Sequence, residues 1–308
     1  MTSPRQDLPP RAPAGRVALP FTKGHGTQND FVLLADPDGS LDLDDALVRL
    51  LADRRAGLGG DGVIRAVRTE AAQEPQVRAQ AAEAPWFMDY RNADGSVAEM
   101  CGNGARVFAA YLRRQGLETA AEFTVATRAG TRRIRVDDAA DGARVSVHMG
   151  TWRIASPERF AERGFDTLVA VPGQDPWPGL SLDVGNPHVV VALPESVDLD
   201  ALDLSAAPAL NPTPEVGANV EFVQPLGPGH LRMRVFERGV GETRSCGTGA
   251  CAAALALRAW SARPAEHEDW RVDLPGGTVY VTVLPGDQVE LTGPAELVAD
   301  GTFWLPAR

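Results

Sequence analysis

The sequence predicts an α+β protein made of two pseudo-symmetric α/β lobes. A short motif recurs, its copies lie half a chain apart, and strand-like and helix-like segments alternate in each half. Cys-Gly-Asn-Gly-Ala-Arg at 101–106 returns as Cys-Gly-Thr-Gly-Ala-Cys at 246–251, in a chain of 308 residues, and an alanine-rich run at helical spacing follows each copy. Because the copies begin 145 residues apart, a duplicated unit explains them most economically. We expect a cleft between the halves, in which the two cysteines face each other.

The first elements follow from local patterns. FTKGHGTQNDFVLLAD predicts a strand, a glycine-containing turn and a second strand, and DLDDALVRLLADRRAG predicts a helix that a glycine ends. Residues 70–85 are polar and alanine-rich with two prolines, which indicates a loop or hairpin insertion between strands rather than a linker between domains.

The later elements repeat this alternation. ARVFAAYLRRQG predicts a helix with a terminal glycine, and EFTVATRAGTRRIRVDDAADGARVSVHMG predicts successive strands. Residues 151–180, rich in Pro and Gly, are predicted to hold the crossing between the halves. The predicted domains are therefore a disordered N-terminal extension at 1–20, a first lobe at 21–150 and a second lobe at 151–308, whose end can cross back to the first.

Composition narrows the class of partner. Acidic residues outnumber basic ones, the net charge is −11, and Lys and Arg form no cluster, so nucleic acid and anionic membranes are excluded as expected partners. The N-terminal residues lack the apolar stretch of a signal peptide, and no segment is long and apolar enough to span a membrane. We therefore expect a cytoplasmic protein. Its three cysteines are too few for a disulfide framework, and no metal site is predicted.

The duplicated boxes suggest a chemistry. The small residues after Cys101 and Cys246 let backbone N–H groups approach a ligand closely. The positive end of each helix dipole favours a bound carboxylate at this point. It also favours the thiolate form of the cysteine over the thiol. One sulfur on each face of a bound α-carbon is the arrangement that inverts a stereocentre: one removes a proton and the other returns one. This reaction requires no metal or other cofactor. Cys251, inside the second helix, is predicted to be a buried structural residue.

Several motifs, in the same order and at the same spacing, resemble the diaminopimelate epimerase family from Phe21 to about Trp304. They are GTQNDFV at 26–32, RNADGSVAEMCGNGARVFA at 91–109, GNPHVV at 185–190, GANVEFV at 217–223 and FERGVGETRSCGTGACAAA at 236–254. The resemblance implies two lobes, each with a curved mixed sheet around a central helix. It also implies conversion of L,L- to meso-diaminopimelate, which supplies lysine and peptidoglycan synthesis, and a homodimer.

The resemblance also implies roles for individual residues. Cys101 and Cys246 would be the acid/base pair, assisted by His188 and Glu237. The remaining implied residues bind the small-molecule substrate: Gly102, Asn103, Gly247 and Thr248 at the reacting carboxylate, and Asn29, Asn92, Asn186, Asn219, Glu237 and Arg238 around the rest, with Arg238 on the distal carboxylate. One departure stands out: many members carry glutamine after an aspartate where this chain has Asp61-Gly62, so one substrate contact is missing or replaced.

Three alternatives remain open from the sequence. A proline or hydroxyproline racemase uses a similar cysteine pair, but acts on a ring amine and does not need the context around Asn219 and Arg238. A phenazine-biosynthesis-like isomerase generally lacks the pair. A non-catalytic two-lobed amino-acid binding protein would gain nothing from two matched cysteines.

Overall fold

A computed structural model describes residues 13–139, 142–261 and 268–306. The first half contains seven strands and three α-helices: β1 (Arg16–Gly26), β2 (Asn29–Ala35), α1 (Asp45–Ala52), β3 (Gly62–Arg68), α2 (Pro75–Arg78), β4 (Trp86–Asn92), α3 (Gly102–Arg114), β5 (Glu122–Ala126), β6 (Arg132–Ala139) and β7 (Gly142–Thr151).

The second half contains the other twelve strands and two further α-helices. They are β8 (Arg153–Ile154), α4 (Pro157–Arg163), β9 (Thr167–Ala170), β10 (Trp177–Asp183), β11 (Pro187–Ala192), β12 (Ala209–Asn211), β13 (Asn219–Gly227), β14 (His230–Glu237), β15 (Gly241–Thr243), α5 (Gly247–Trp260), β16 (Asp269–Leu274), β17 (Gly277–Leu284), β18 (Gln288–Pro294) and β19 (Glu296–Pro306). Strand and helix thus alternate as the sequence predicts.

Three local expectations need correction. Strand β1 begins at Arg16, so residues 16–20 belong to a strand and not to the predicted extension, of which residues 1–12 lie outside the described part. Helix α1 ends at Ala52, before the predicted glycine, because the chain becomes extended at Asp53 and the Asp53 carboxylate accepts the N–H groups of Arg55 and Ala56. The segment 70–85 forms a short 3-10 turn and α2 instead of a hairpin, since Val77 is buried in a small apolar cluster.

The strand pairing repeats in the two halves. From β1 to β7 the neighbouring pairs are antiparallel, parallel, antiparallel, parallel, antiparallel and antiparallel. The series β10, β11, β13, β14, β16, β17 and β18 follows the same order. This agreement confirms the predicted pair of pseudo-symmetric lobes with mixed sheets.

The two lobes exchange strands where they meet. The last strand of each series pairs with the other, β7 with β18. The strand after β7, which is β8, pairs with β10 of the second lobe, and the strand after β18, which is β19, pairs with β1 of the first. The chain therefore leaves the first lobe at Trp152 and returns to it at its C-terminal end.

Each sheet surrounds one helix. Helix α3 contacts β1 to β4, β6 and β7, and α5 contacts β10, β11, β13, β14 and β16 to β18. Residues 102–112 of α3 are all buried, and the buried stretch of α5 from Ala250 to Ala256 consists of small residues and Leu255. Cys251 is fully buried there, as a small apolar residue would be. The start of each helix is thereby fixed by the core of its own lobe.

Candidate active site

The two cysteine boxes form the starts of the two central helices. Cys101 is the N-cap of α3 and its sulfur accepts the Gly104 N–H at 3.3 Å, while Cys246 is the N-cap of α5 and accepts the Gly249 N–H at 3.4 Å. This is the geometry of a capped helix start, in which the first N–H groups have no partner within the helix. Both sulfurs therefore lie where backbone donors and the helix dipole act together.

The helix starts lie against each other. A Cβ atom at Gly247 would lie 3.3 Å from Asn103 Oδ1 and 3.5 Å from the Asn103 backbone nitrogen. The Asn103 amide nitrogen donates to the carbonyl of Ser245 at 3.2 Å, directly before Cys246. The nearest atom to such a Cβ would be Leu291 Cδ2 at 2.8 Å, so glycine at position 247 lets the two helix starts approach closely without displacing that side chain.

A cavity of about 710 Å³ opens at this contact. Its volume lies in the range of small-molecule sites. Every sequence-predicted site residue except His188 and Arg238 lines it: Asn29, Asn92, Cys101, Gly102, Asn103, Asn186, Asn219, Glu237, Cys246, Gly247 and Thr248. Residues from both lobes, distant in sequence, thus converge on one space.

The two exceptions lie behind and beside the cavity. His188 is fully buried in β11, where its Nδ1 lies 2.7 Å from Glu221 Oε1 and its Nε2 lies 3.0 Å from Asn186 Oδ1. Arg238 is exposed, and its guanidinium donates to the Val216 carbonyl while its backbone N–H donates to Asn219 Oδ1 at 2.9 Å. His188 can therefore act only through its neighbours, and Arg238 reaches the cavity only if its side chain turns.

Burial determines the state of the thiols. It raises the pKa of Cys101 to about 11 and that of Cys246 well above its ordinary value. The N–H groups of Gly104 and Gly249 lower these pKa values, as the sequence predicts for helix starts, but they do not offset burial and the neighbouring Glu237 carboxylate. Both pKa values therefore lie above the ordinary value of a thiol, although that of Cys101 stays below the value of about 12 that burial gives the structural Cys251.

Three acid/base groups, Glu237, Glu221 and His188, lie on the Cys246 side of the site. Glu237 accepts a hydrogen bond from the Thr243 hydroxyl, and burial, together with Glu221, raises its pKa while His188 lowers it. Glu221 is completely buried and one of its oxygens has no partner among the described groups. Negative charge is therefore concentrated on the Cys246 side of the cavity.

The cavity rim on the first lobe is an ion-pair network. Asp30 pairs with Lys23 at 2.6 Å and with Arg54 at 2.7 Å, and Arg54 also pairs with Asp61 at 2.8 Å. Asn29 donates to Asp61 at 2.7 Å, which fixes its amide with the oxygen towards Cys101 and Asn103. Arg132 also lines the cavity, and the described residues contain no acidic partner for it.

Gly62 occupies the position in the first lobe that Asn219 occupies in the second. Gly62 pairs with Asn92, which lies nine residues before Cys101. Asn219 directly precedes Val220, whose partner Phe236 directly precedes Glu237, the residue nine before Cys246. A Cβ atom at Gly62 would lie 2.5 Å from the Arg91 carbonyl oxygen and 2.6 Å from Tyr90 Cε2. The Tyr90 ring, which lines the cavity and packs edge-on against Phe31, takes the space of a side chain at position 62. The departure at Gly62 is thus compensated in volume by an aromatic ring.

Sequence reasoning missed several polar residues of the site. Glu221, Ser245, Thr27 and Arg106 are all buried and hydrogen-bonded around the two boxes. Glu221 carries the one available signal, because it shares a strand face with Asn219 in an otherwise apolar segment. The described residues contain no cluster of metal-ligating side chains, and no helix among them has the length and apolar character needed to cross a bilayer.

Comparison with known proteins agrees with this geometry. A family model described as diaminopimelate epimerase matches residues 21–155 and 180–298. A protein from Streptomyces coelicolor named diaminopimelate epimerase is 49% identical over 301 residues, 93% of this chain and 97% of that protein. Another of that name, from Thermobifida fusca, is 50% identical over 293 residues, 93% of this chain and 98% of that protein.

Solved structures of lower identity share the fold. A hydroxyproline epimerase from Agrobacterium vitis superposes with a TM-score of 0.63 at 13% identity, covering 96% of this chain and 94% of that one. A Bacillus anthracis phenazine biosynthesis protein gives a TM-score of 0.61 at 17% identity, covering 93% and 99%. At such identities these structures support the two-lobed architecture and say nothing of the reaction.

Proposed function

The chain belongs to the diaminopimelate epimerase family, and from this premise we propose that it interconverts L,L- and meso-2,6-diaminopimelate without a cofactor, in the service of lysine and peptidoglycan synthesis. The observation that carries the proposal is the pair of cysteine N-caps on abutting helices, one from each lobe, at a single cavity. The high identity of relatives that carry this name over nearly the whole chain favours diaminopimelate over proline as the substrate.

The reaction needs one ionised and one protonated sulfur. The thiolate removes the α-proton, so that the C–H bond breaks and its electron pair remains on the α-carbon, partly delocalised onto the carboxylate. The other thiol gives its proton to the opposite face and becomes the thiolate. N–H groups at residues 102–103 and 247–248 stabilise the charge on the carboxylate as it develops. Because burial opposes ionisation, the substrate's ammonium group is the cation that favours a thiolate once it is bound.

The remaining predicted residues set the position of the substrate. Asn29, Asn92, Asn186 and Asn219 offer amide groups to the cavity, and Glu237 offers a carboxylate to an ammonium group. In the proposal Arg238 turns from the Val216 carbonyl to form a planar fork with the distal carboxylate. His188 orients Asn186 and adjusts the charge of Glu237 from behind.

Location and assembly complete the proposal. A mechanism with two free thiols requires a reducing compartment, which supports the cytoplasm. The homodimer that the family resemblance implies stays a prediction, to be measured by light scattering of the purified chain.

Replacement of each cysteine tests the mechanism. Cys101→Ala and Cys246→Ala should each lower kcat for L,L-diaminopimelate by more than about 1,000-fold, since a general acid or base contributes about 100- to 10,000-fold. Cys251→Ala, in the same helix as Cys246 and equally buried, is the matched control and should keep its activity. Circular dichroism follows the epimerisation, with L-proline tested as an alternative substrate. Activity in either single variant, or turnover of proline alone, would refute the proposal.

A further inference from the structure

We propose that Arg106 is a positioning residue that holds the two cysteine boxes in register and supplies the buried positive charge facing the negative charge of the reaction. The inference rests on the proposed function, because it assigns a task to a residue of the same site. Arg106 lies on α3 and is not exposed at all. It does not line the cavity wall and was not singled out by any sequence motif beyond the box itself.

The guanidinium of Arg106 has neutral partners only. Its Nη1 donates to the Pro294 carbonyl at 2.9 Å, and its Nη2 donates to Thr27 Oγ1 at 3.1 Å and to Asn103 Oδ1 at 2.5 Å. Within the ranges that the structure describes, no carboxylate forms an ion pair with it and its Nε has no partner. A buried cation without a counter-ion is costly. This cost is the reason to assign the guanidinium a task towards the negative charge that develops in the proposed reaction.

The backbone is built to admit this group. A Cβ atom at Gly293 would collide with Nη1, and one at Gly26 would lie 3.2 Å from Nη2 and 3.1 Å from the Asn103 carbonyl oxygen. Gly26 belongs to β1 and Gly293 to β18, so both lobes leave room for the same side chain.

Arg106 closes a ring of hydrogen bonds between the lobes. Its partner Asn103 donates from Nδ2 to Ser245 Oγ at 3.1 Å, and Ser245 Oγ lies 2.6 Å from Thr27 Oγ1, which in turn accepts from Arg106. Asn103 is the second residue after Cys101, and Ser245 directly precedes Cys246. A displacement of the guanidinium therefore moves the first box through Asn103 and the second box through Thr27 and Ser245.

The ring also fixes which way the Asn103 amide points. Because Oδ1 accepts from a guanidinium, Nδ2 must face away from it, where it donates to Ser245 and to Asn29 Oδ1 at 3.3 Å. Asn29 Oδ1 also accepts from the Cys101 sulfur at 3.7 Å. Lysine, a point charge with a single tetrahedral ammonium, cannot reproduce this planar arrangement of donors.

The charge acts unequally on the two thiols. Glu237, Tyr90 and Arg106 are the titratable or charged side chains that act on Cys101, and of these Arg106 favours its thiolate. The side chains that act on Cys246 are the acidic Glu237 and Glu221, which oppose its thiolate. Position 106 is matched in the second box by the neutral Cys251, so only the first box carries a cation at this position.

The test compares Arg106→Met, Arg106→Lys and the control Cys251→Ala in the full chain. The rate of iodoacetamide alkylation at Cys101 and Cys246, resolved by peptide mass spectrometry between about pH 6 and pH 10, needs no substrate and so does not depend on the proposed activity. In Arg106→Met the Cys101 profile should move up by about one pH unit or more, and that of Cys246 should move less. Its kcat should fall by about 100-fold, the effect of a small misplacement of reacting groups.

Arg106→Lys separates charge from position. It should keep the Cys101 alkylation profile of the wild type while kcat still falls at least about tenfold, because the charge remains and the ring is broken. Cys251→Ala should alter neither quantity. If Arg106→Met does not accumulate as a folded protein, Arg106→Lys decides alone: full kcat would overturn the inference. The inference would also be overturned if a folded Arg106→Met variant showed the same difference between the alkylation profiles of Cys101 and Cys246 as the wild type.

Discussion

The two reactive thiols have almost identical sequence contexts and different electrostatic surroundings. Cys246 is 6% exposed and has two acidic neighbours, whereas Cys101 is partly exposed and has one acidic neighbour and one arginine. Both are protonated at rest, because burial raises their pKa values above the ordinary value of a thiol. In the proposed mechanism, one of the two thiols must therefore ionise before it can remove a proton.

The pH dependence of activity follows from this state. At a pH below the pKa of a thiol, the fraction present as thiolate rises about tenfold for each unit of increase in pH. We therefore expect kcat/KM to rise from about pH 7 and to fall only where both sulfurs ionise. Glu237→Gln removes a neighbour that raises both pKa values, so its rising limb should lie at lower pH even though its maximum is smaller. Initial rates across the range measure both effects. A rising limb that moves to higher pH in this variant would contradict the assigned role of the carboxylate.

The distal carboxylate of the substrate has two candidate arginines. Arg238 is implied by the family resemblance but is not part of the cavity lining and donates to the Val216 carbonyl, while Arg132 lines the cavity. We expect Arg238→Met to raise KM about 10- to 100-fold, the equivalent of one or two charge-assisted hydrogen bonds. Arg132→Met is the matched variant and should change KM less than about threefold. Steady-state kinetics on both would reverse the assignment if the larger effect falls on Arg132.

The sequence predicted those site residues that belong to a recognisable local motif, and it did not predict those whose role depends on distant residues. The cysteines and their glycines are visible because a box that caps a helix repeats, and the asparagines are visible through the motifs around them. Arg106 and Ser245 are not, because their meaning arises from hydrogen bonds between residues more than 130 positions apart. Gly62 was visible as a departure, but its partner Tyr90 was identified only by the collision a Cβ atom would cause.

At the scale of elements, the antiparallel pair β3 and β4 is tied together by a buried carboxylate. Asp89 on β4 accepts from Arg65 at 2.7 Å, from Arg91 at 3.0 Å and from Arg128 at 2.5 Å, and it is completely buried. Burial alone would raise its pKa, but Arg128, Arg91 and Arg65 hold the pKa below its ordinary value. The strand that leads to Asn92 and the first cysteine box is anchored by this cluster.

Asp89→Asn should lower the free energy of unfolding by about 3 kcal/mol, since it removes a buried carboxylate that pairs with three arginines. Arg65 and Arg128 keep Asp36 and Glu74 as partners, whereas Arg91 loses its acidic partner among the described residues. Because the pKa of Asp89 is lower in the folded state than in the unfolded state, its ionised form stabilises the fold at pH values above the unfolded-state pKa of about 4. This stabilisation is lost as the pH falls. The difference in unfolding free energy between variant and wild type should therefore shrink in acid. Urea melts at about pH 7 and pH 3.5 measure it. Glu158→Gln, on the exposed face of α4, is the control and should change stability by less than about 0.5 kcal/mol. A constant difference at both pH values would contradict the assignment to Asp89.

Elements with a strong period were predicted with their correct type, and those governed by tertiary contacts were not. The hairpin β1–β2 and the helix α3 follow from a turn and from apolar spacing, and Gly116 has the left-handed φ of 68° that favours glycine after a helix end. The segment 70–85 was misassigned in part because the burial of Val77 decides its conformation. Pairing of β19 with β1 joins the two ends of the chain, which no local pattern indicates.

At the scale of the whole molecule, pseudo-symmetry explains why the site lies between the lobes. Each lobe surrounds one helix whose start carries one cysteine, and the β7–β18 pair joins the lobes edge to edge. The exchanged strands β8 and β19 make each sheet incomplete without the other half of the chain. The two thiols therefore reach one cavity from opposite lobes, which supports the proposal that one acid/base group serves each face of the substrate's α-carbon.

Isotope incorporation tests this arrangement directly. With one thiol on each face, the proton removed stays on the receiving sulfur, and the proton delivered comes from a thiol already exchanged with solvent. When L,L-diaminopimelate is turned over in D₂O and stopped early, meso product should carry deuterium at the inverted carbon and recovered substrate should remain nearly unlabelled. A single base that served both faces would instead return the same hydrogen to either face, and would label substrate and product alike or, with slow exchange, neither.

The position of the label adds a second condition. Only the inverted carbon should exchange, because the asparagines and Arg238 are proposed to hold the distal centre away from both sulfurs. Mass and NMR spectra of early samples distinguish the two carbons, and Cys251→Ala, whose sulfur lies inside α5, should give the wild-type pattern. Early deuterium in recovered substrate equal to that in product, or deuterium at both α-carbons, would show that the two lobes do not each contribute one base. The duplicated architecture would then serve binding alone, since a single thiol at one helix start would suffice for the proton transfer.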